Sequence, residues 1–363
     1  MQLSRSVAAL CLVVLLAAVP LSGQRKKKKY EESGGLPPVL EESKRKKEKP
    51  VVTEALELPK DPPQTIVAEA QRLAFFVSPL SSKGLLSQQT RDALKAVFAG
   101  ARGASIVNIR AFVAGTGDLR RVQTIVSETF SDRRLGLPTF SVVQAGGLAL
   151  EGAQVVLEAT MVERKASAPY GLGFLGGTRV PVSESVNVIQ RAVADVRAKA
   201  GDVRKITCFV ESIELAGDLR TQMTQSFPSA SFNFVQSLRD SAGDRASCEG
   251  VIALGEGASN GPGIATVGPG RILLTGTQLA FGGEEADLRL AFDRLGKALE
   301  SGGGDLKNIV YGRASALDRN ALNKVDQLWR AYCPAKPAST STVFESLPSL
   351  DATAGIEVVV RVE

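Results

Sequence analysis

The sequence predicts an α+β fold in which one β-α-β-α-β-β unit is repeated three times along the chain. The first observation is that Asp118, Asp218 and Asp318, spaced by 100 residues, each precede a stretch with helical periodicity. The second is that the strand-like run "LPTFSVVQ" at 137–144 recurs as "SASFNFVQ" at 229–236. The third is an apolar content of 44% over 363 residues, which is enough to give each copy its own core.

The elements of each copy follow one order. Each copy opens on a strand-like run, at 73–79, 171–177 and 271–278. A helix-period stretch follows, at 87–101, 183–201 and 284–301, and then a β-rich run, at 108–115, 205–212 and 308–315. The three aspartates are expected to be N-caps of the second helix, accepting hydrogen bonds from the unpaired N–H groups of its first turn. Two more strands close each copy, at 139–146 and 153–162, 231–238 and 246–254, and 339–347 and 355–362.

These repeats predict the domain boundaries. Copy 1 is expected at 64–163, a diverged copy 2 at 164–259 and copy 3 at 260–363, with the glycine-rich stretch 255–270 as a linker. Residues 24–63 alternate basic and acidic blocks with prolines and are expected to be a disordered linker. Residues 1–23 combine Arg5, a 13-residue apolar run and a small-residue cleavage region, which predicts a signal peptide.

Export therefore places the protein in the periplasm or outside the cell after cleavage. The basic run "RKKKK" directly after the apolar segment opposes translocation, so an uncleaved N-terminus that anchors the protein to the membrane is the alternative. Cleavage would leave Cys208, Cys248 and Cys333. An odd number allows one intrachain disulfide at most, and buried free thiols are the favoured expectation.

Charge and composition exclude several function classes. The net charge of +6 comes mostly from residues 1–61, where 12 lysines and arginines oppose 8 acidic residues, leaving 32 against 30 in the rest. A nearly neutral core with 5% aromatic residues argues against nucleic-acid binding. The chain has no histidine, which excludes Ser-His-Asp and Cys-His nucleophiles and histidine-ligated metals. Neither a metal nor a cofactor is expected.

The repeated segments also resemble a known family. The segment "QTRDALKAVFAGARGASIVNIRAFVAGTGDLRRV" followed by "LPTFSVVQAGGLALEGAQVVLEATMV" in copy 1, and "GRILLTGTQLAFGG", "GDLKNIVYGRASALD" and "PASTSTVFESLPSLDATAGIEVVVRV" in copy 3, are similar to the RidA/YjgF family, the enamine/imine deaminases also described as L-PSP endoribonuclease-like. Members of that family are trimers with a central barrel-like core, outer helices and ligand clefts between subunits. The resemblance implies that three fused copies form a monomeric pseudo-trimer, since fusion removes the entropic cost of assembly.

The same resemblance implies which positions should carry the functional side chains of the ligand clefts. Active family members use an arginine, which binds the substrate carboxylate, and a glutamate, which orients the hydrolytic water. The positions that match the arginine are Phe140, Phe232 and Ser339, and those that match the glutamate are Val156, Ser247 and Glu357. Glu158 and Glu249 match a second glutamate of the family's last strand and are expected to be structural or surface groups. Arg179, Arg239 and Arg313 are candidates to replace the lost arginine from other positions.

No copy keeps both groups, and a phenyl ring cannot replace a guanidinium that binds a carboxylate through two hydrogen bonds. The leading hypothesis is therefore an exported pseudoenzyme with degenerate clefts that serves as a small-molecule-binding or scaffold module. The alternative is an imine or enamine hydrolase with one surviving cleft in copy 3, where Glu357 would be catalytic. A weaker option is an envelope protein that contacts lipid or wall polymers through its lysine-rich tail.

Overall fold

Three mixed β-sheets carry six helices in the part of the chain that the computed structural model describes. That part comprises residues 65–69, 73–162, 171–196, 198–238, 243–254, 260–261, 264–267 and 272–362. The predicted signal peptide, 1–23, and the predicted linker, 24–63, both lie outside it. Among the described residues, no helix is both long enough and apolar enough to cross a membrane.

Module 1 spans residues 73–162 and follows a short strand, β1 (Thr65–Glu69). Its elements are β2 (Leu73–Val77), α1 (Leu86–Ala101), β3 (Ser105–Ala114), α2 (Leu119–Asp132), β4 (Thr139–Ala145), β5 (Gly147–Leu148) and β6 (Val155–Val162). Four of these strands form a sheet in the order β2-β6-β3-β4, and β3 and β4 are parallel.

Module 2 spans residues 171–254. Its elements are β7 (Gly171–Pro181), α3 (Ser185–Asp195), β8 (Val203–Val210), α4 (Ala216–Ser226), β9 (Ser231–Gln236) and β10 (Arg245–Leu254). The strand order β7-β10-β8-β9 repeats that of module 1, and β1 pairs with the outer edge of β7.

Module 3 spans residues 272–361. Its elements are β13 (Ile272–Thr275), β14 (Gln278–Phe281), α5 (Glu285–Ser301), β15 (Ile309–Ala316), α6 (Arg319–Tyr332), β16 (Ala338–Val343) and β17 (Ala352–Arg361). Both β13 and β14 pair with β17, which pairs with β15, which in turn pairs in parallel with β16. The predicted linker at 255–270 includes two short strands, β11 (Asn260–Gly261) and β12 (Ile264–Val267), and β12 continues the sheet beyond β13.

The modules close on one another in a ring. Strand β4 of module 1 lies beside β7 of module 2. Strand β8 of module 2 contacts β13 of module 3 and the preceding short strand β12. Strand β16 of module 3 contacts β2 of module 1. The closing seam is hydrogen-bonded, because Leu148 and Gly147 of β5 pair antiparallel with Thr342 and Val343 of β16. The predicted fold class, an α+β pseudo-trimer of three modules, is confirmed.

The protein has two kinds of apolar core, one within each module and one shared between modules. Each module packs its two helices against one face of its sheet around an apolar cluster of its own. Two further apolar clusters draw buried residues from all three modules and lie between the sheets. In one of them Phe112, Phe209 and Phe344, one ring from each module, contact each other with centroid distances of 5.8 to 6.1 Å. The centre of the ring is therefore packed core and requires all three modules.

Helix starts show where the sequence predictions succeed and fail. Asp118 caps α2 by accepting from the Arg121 N–H at 3.1 Å, and Asp318 caps α6 by accepting from the Ala321 N–H at 2.8 Å, as predicted. The prediction for Asp218 is wrong, since α4 begins at Ala216 with no side-chain cap and Asp218 lies in its first turn. A preceding 3-10 turn, Ile213–Leu215, starts the helix early.

The cysteines also differ from the favoured expectation. Cys208 on β8 and Cys248 on β10 are directly opposed across the two strands and form a disulfide. Cys333 is buried and free, and burial raises the pKa of its thiol to about 12. The two bonded cysteines belong to one antiparallel pair whose register the sequence alone did not define. A structural disulfide is consistent with an oxidising compartment outside the cytoplasm.

Candidate functional site

One position in the strand register is equivalent in all three modules and carries several of the buried charges of the protein. In each module, one residue of the second long strand faces one glutamate of the last strand. The three pairs are Arg110–Glu158, Thr207–Glu249 and Arg313–Glu357. Since the pairing repeats without offset, Glu357 is the counterpart of Glu158 and Glu249 within this chain.

Arg110 joins modules 1 and 2. Its guanidinium binds Glu249 through two hydrogen bonds, of which Nε to Oε2 measures 3.0 Å, and also donates to Glu158. Burial on its own would lower the pKa of Arg110, but Glu249 and Glu158 raise it well above its ordinary value. Arg110 therefore remains a permanent cation held between two carboxylates.

Glu357 joins modules 2 and 3. Its carboxylate binds Arg313 of its own module, Lys205 of module 2 with Nζ and Oε2 3.0 Å apart, and the side-chain amide of Asn233. The Thr277 hydroxyl in turn donates to Asn233 Oδ1 at 2.8 Å. Burial alone would raise the pKa of Glu357, but Arg313 and Lys205 lower it below the ordinary value. Glu357 is therefore ionised and engaged on both oxygens.

The buried charges at the centre balance, although module 2 lacks the arginine that modules 1 and 3 have. Thr207 occupies the arginine position in module 2, and Lys205, two residues earlier on the same strand, supplies the third cation. Three cations and three carboxylates therefore meet among the described residues at the centre. We call this set Arg110, Lys205, Arg313, Glu158, Glu249 and Glu357 the central ion cluster.

Aromatic rings and a small cavity border the central ion cluster. The guanidinium carbons of Arg110 and Arg313 lie 5.3 to 5.9 Å from the ring centroids of Phe112 and Phe209, within range of a cation–π interaction. A cavity of about 70 Å³ is lined by Arg110, Lys205 and the three glutamates, among others. That volume suits a few water molecules and is much smaller than ordinary ligand pockets.

The open cleft between modules 1 and 2, here called the 1–2 cleft, is far larger. It has a volume of about 680 Å³. Phe140, Leu119 and Val142 form an apolar wall, and Gly176 and Gly177 of β7 lie against the other side. A side chain at 176 would collide with the backbone of Phe140, so glycine is needed for this close approach.

Arginines are present in the 1–2 cleft, although not at the position expected from the resemblance. Arg179 on β7, Arg245 on β10 and Arg120 line it. Arg179 Nε donates to Glu211 Oε1 at 2.6 Å, and the Arg179 side chain remains 41% exposed. Ser247 also lines the cleft, but its hydroxyl is buried and has no hydrogen-bond partner among the described residues. The cleft therefore combines cationic groups and an apolar wall.

A second open cleft, the 3–1 cleft, lies between modules 3 and 1. Its volume is about 520 Å³, and its walls come from α6 and β16 on one side and from β2 and β6 on the other. Ser339 and Thr340 of β16, Trp329 of α6 and Val156 of β6 are among the lining residues.

The structure places the predicted site residues in three different surroundings. Phe140 and Ser247 line the 1–2 cleft, and Ser339 and Val156 line the 3–1 cleft. These two clefts each join an arginine position of one module with a glutamate position of the next. Phe140 is 7% exposed and packs in the core of module 1 while its edge borders the cleft.

Phe232 and Glu357 lie elsewhere. Phe232 is half-buried, packs against the core of module 2 and stacks on Phe234. Glu357 lies in the central ion cluster, whereas Val156 and Ser247 lie two residues earlier along their strands, level with Gly355. Arg313 is also central, and Arg239 lies outside the described residues.

Sequence reasoning missed Arg110, Lys205 and Arg245. A signal for the first two was available, because a lone cation in the middle of an apolar strand is buried only when it has a partner. Arg245 stands at the start of a strand, where a cation is ordinary, and only the neighbouring module shows that it borders a cleft.

Comparisons with known proteins agree with this architecture. No family model and no curated protein matches the chain. The structure is similar to that of chorismatase with a TM-score of 0.53 and 12% sequence identity, covering 81% of this chain and 99% of that one. The tandem arrangement therefore has a chorismatase-like fold.

Single-module matches are shorter. A member of the YjgF/YER057c/UK114 family from Mycobacterium tuberculosis matches with 20% identity and a TM-score of 0.26, over 28% of this chain and 85% of that one. RidA from an Antarctic Psychrobacter matches with 19% identity and a TM-score of 0.25, over 29% and 92%. The resemblance predicted from the sequence is confirmed, at the level of the fold.

Proposed function

We propose that this chain is an exported small-molecule-binding protein whose ligand lies in the 1–2 cleft, and that it does not hydrolyse imines by the arginine–glutamate chemistry of the RidA family. The observation that carries the proposal is the cleft itself, about 680 Å³ in volume, with Phe140 and Ser247 at the two positions that the chemistry would need. That volume lies within the range of about 300–1,000 Å³ typical of small-molecule pockets.

The residues of the 1–2 cleft favour a small organic anion with an apolar portion. Arg179, Arg245 and Arg120 provide positive charge, while Asp118 is engaged as a helix cap and Glu211 accepts from Arg179. Phe140 and Val142 offer an apolar surface beside these groups. A guanidinium hydrogen bond to a carboxylate is stronger than a neutral one, so the arginines would fix the orientation of the ligand.

The alternative, a hydrolase that acts through Glu357, has less support. The Glu357 carboxylate is 3% exposed and engaged by Arg313, Lys205 and Asn233, and the cavity it lines is about 70 Å³. A carboxylate whose pKa is lowered by two cations is also a weak base. Export is supported by the apolar N-terminal run and by the Cys208–Cys248 disulfide.

Calorimetric titration of the full chain with benzoate, a carboxylate with an apolar ring, tests the proposal. We expect binding, and we expect Arg245→Gln to weaken it by about tenfold because one charged hydrogen bond is lost. The control is Arg289→Gln, which changes an exposed arginine of α5 far from the cleft and should leave affinity unchanged. Hydrolysis of 2-aminoacrylate by the wild-type chain well above background would contradict the proposal.

A further inference from the structure

A second, smaller chamber adjoins the 1–2 cleft on its inner side. This inner chamber has a volume of about 140 Å³ and reaches Val143 and Phe209. It shares Val142, Arg179 and Arg245 with the open cleft, so these residues lie where the two spaces meet. A ligand held by the arginines of the cleft therefore has the inner chamber directly beside it.

The inner chamber offers an apolar wall. Val143 and Phe209 are each 2% exposed and belong to the apolar cluster between the sheets. Leu119 and Val142, which are half-buried, line the chamber as well and pack on the core of module 1. An apolar group that leaves water for such a wall gains free energy in proportion to the area it buries.

Polar side chains of the inner chamber already have partners within the protein. Gln144 Nε2 donates to a backbone carbonyl at 2.6 Å, and the Ser237 hydroxyl donates to another at 3.3 Å. Glu211 Oε1 accepts from Arg179 Nε at 2.6 Å. An apolar occupant leaves these hydrogen bonds intact, whereas a charged group buried there without a new partner would be costly. The chamber therefore suits the apolar portion of a ligand, and its charge belongs at the arginines.

The size and stiffness of the inner chamber limit the occupant to one ring. An apolar cavity of about 150 Å³ holds a benzene molecule, and the inner chamber is nearly that large. Phe209 is held by ring contacts with Phe112 and Phe344, and Val143 lies opposite Phe112 in the pairing of β3 and β4. Close-packed side chains of this kind resist the displacement that a larger group would require.

We propose that the 1–2 cleft selects carboxylates that carry a single apolar ring, with the carboxylate at the arginines of the open cleft and the ring in the inner chamber. Val143 and Phe209 set the size of the ring, and Val142 controls the passage between the two spaces. This inference rests on the proposed function of the cleft and adds which anions the cleft accepts.

Three carboxylates of increasing length test the selection in the unaltered full chain. Calorimetry should show benzoate binding at least about tenfold more tightly than acetate, because its ring leaves water. Biphenyl-4-carboxylate carries a second ring on the side away from the carboxylate, where it would extend beyond the chamber wall. It should bind at least about fivefold more weakly than benzoate, because a packed wall does not yield to the extra ring.

Val142→Phe tests the route into the inner chamber. The added ring would occupy the junction, so we expect benzoate affinity to fall by about tenfold and acetate affinity to stay unchanged, since only the ring of benzoate needs the chamber. The matched control is Val188→Phe, which changes a half-buried valine of α3 that lines neither space and should leave both affinities unchanged. Thermal unfolding shows whether each variant folds.

The outcomes separate this inference from the proposed function. Equal affinity for acetate and benzoate, biphenyl-4-carboxylate binding as tightly as benzoate, or benzoate affinity unchanged in folded Val142→Phe would each overturn the inner-chamber assignment. The proposed function would still stand in those cases if Arg245→Gln weakened benzoate binding. Failure of all three carboxylates to bind would overturn both.

Discussion

Single residues of the central ion cluster cross two of the three seams between modules. Arg110 reaches Glu249 of the next module, and Glu357 receives Lys205 and Asn233 from the preceding one. Forming such a buried pair gains little relative to an apolar core, but removing one partner leaves an unpaired buried charge, which is costly. These residues are therefore expected to specify how the modules meet more than to add stability.

Arg313→Met should destabilise the protein by about 3–5 kcal/mol, since Glu357 would keep Lys205 but lose the cation of its own module. Urea unfolding followed by circular dichroism measures the change. Arg289→Met, which removes an exposed partner of Glu285 on α5, is the control and should leave the urea midpoint unchanged. Equal effects of the two substitutions would show that the central pair is not intact.

Glu357 also predicts an acid dependence of stability. Its folded-state pKa is lowered below the ordinary value of 4.5, mainly by Arg313 and Lys205 acting against the effect of burial. Its contribution is fully present above that ordinary value and is lost as the pH falls through the folded-state pKa. We expect the free energy of unfolding to fall below about pH 4.5, and to fall less steeply in Glu357→Gln. Parallel pH profiles for the two proteins would contradict the assignment.

At the scale of single elements, the sequence predicted the order of strands and helices well because each copy repeats the same apolar periodicity. Register and helix starts were harder to predict. Asp218 has the same spacing as Asp118 and Asp318 but lies inside α4, because a 3-10 turn begins that helix early. The sequence around Glu357 matches that of the family's cleft glutamate, whereas strand pairing gives Glu357 the same register position as Glu158 and Glu249.

The three aspartates form an internal comparison of helix capping. Asp118→Ala and Asp318→Ala should each cost about 1 kcal/mol, the usual value of an N-cap, because each removes a side-chain acceptor for an N–H of the first turn. Asp218→Ala, with no capping bond to lose, should cost less than about half of that. Denaturant unfolding of the three variants measures this difference, and an equal loss at all three positions would contradict the cap assignment.

The disulfide between β8 and β10 has a measurable consequence. It closes a sequence separation of 40 residues, for which the chain-entropy relation gives about 4 kcal/mol of stabilisation. Replacing both Cys208 and Cys248 by serine should lower stability by up to this amount, whereas adding reductant to that variant should change nothing further. Peptide mapping of the native protein by mass spectrometry should recover the 208–248 cross-link, and recovery of both cysteines as free thiols would contradict it.

At the scale of the whole molecule, three modules share a core that none of them contains alone. The sequence predicted this closure through the repeat and the family resemblance, because both depend on patterns that recur along the chain. It could not predict which residues face each seam, since those contacts join positions as distant as 148 and 342. The arginines of the 1–2 cleft are brought together by that packing, so the proposed ligand site depends on the closed ring.

Ring closure is tested most directly by a cross-link across the seam between modules 3 and 1. Leu148 and Thr342 are paired across β5 and β16, so the double variant Leu148→Cys, Thr342→Cys should form a disulfide within one chain under mild oxidation. We expect the bonded protein to retain the mass of a monomer by light scattering. A bond that forms only between two chains, or no bond in a folded monomer, would contradict the closed three-module ring.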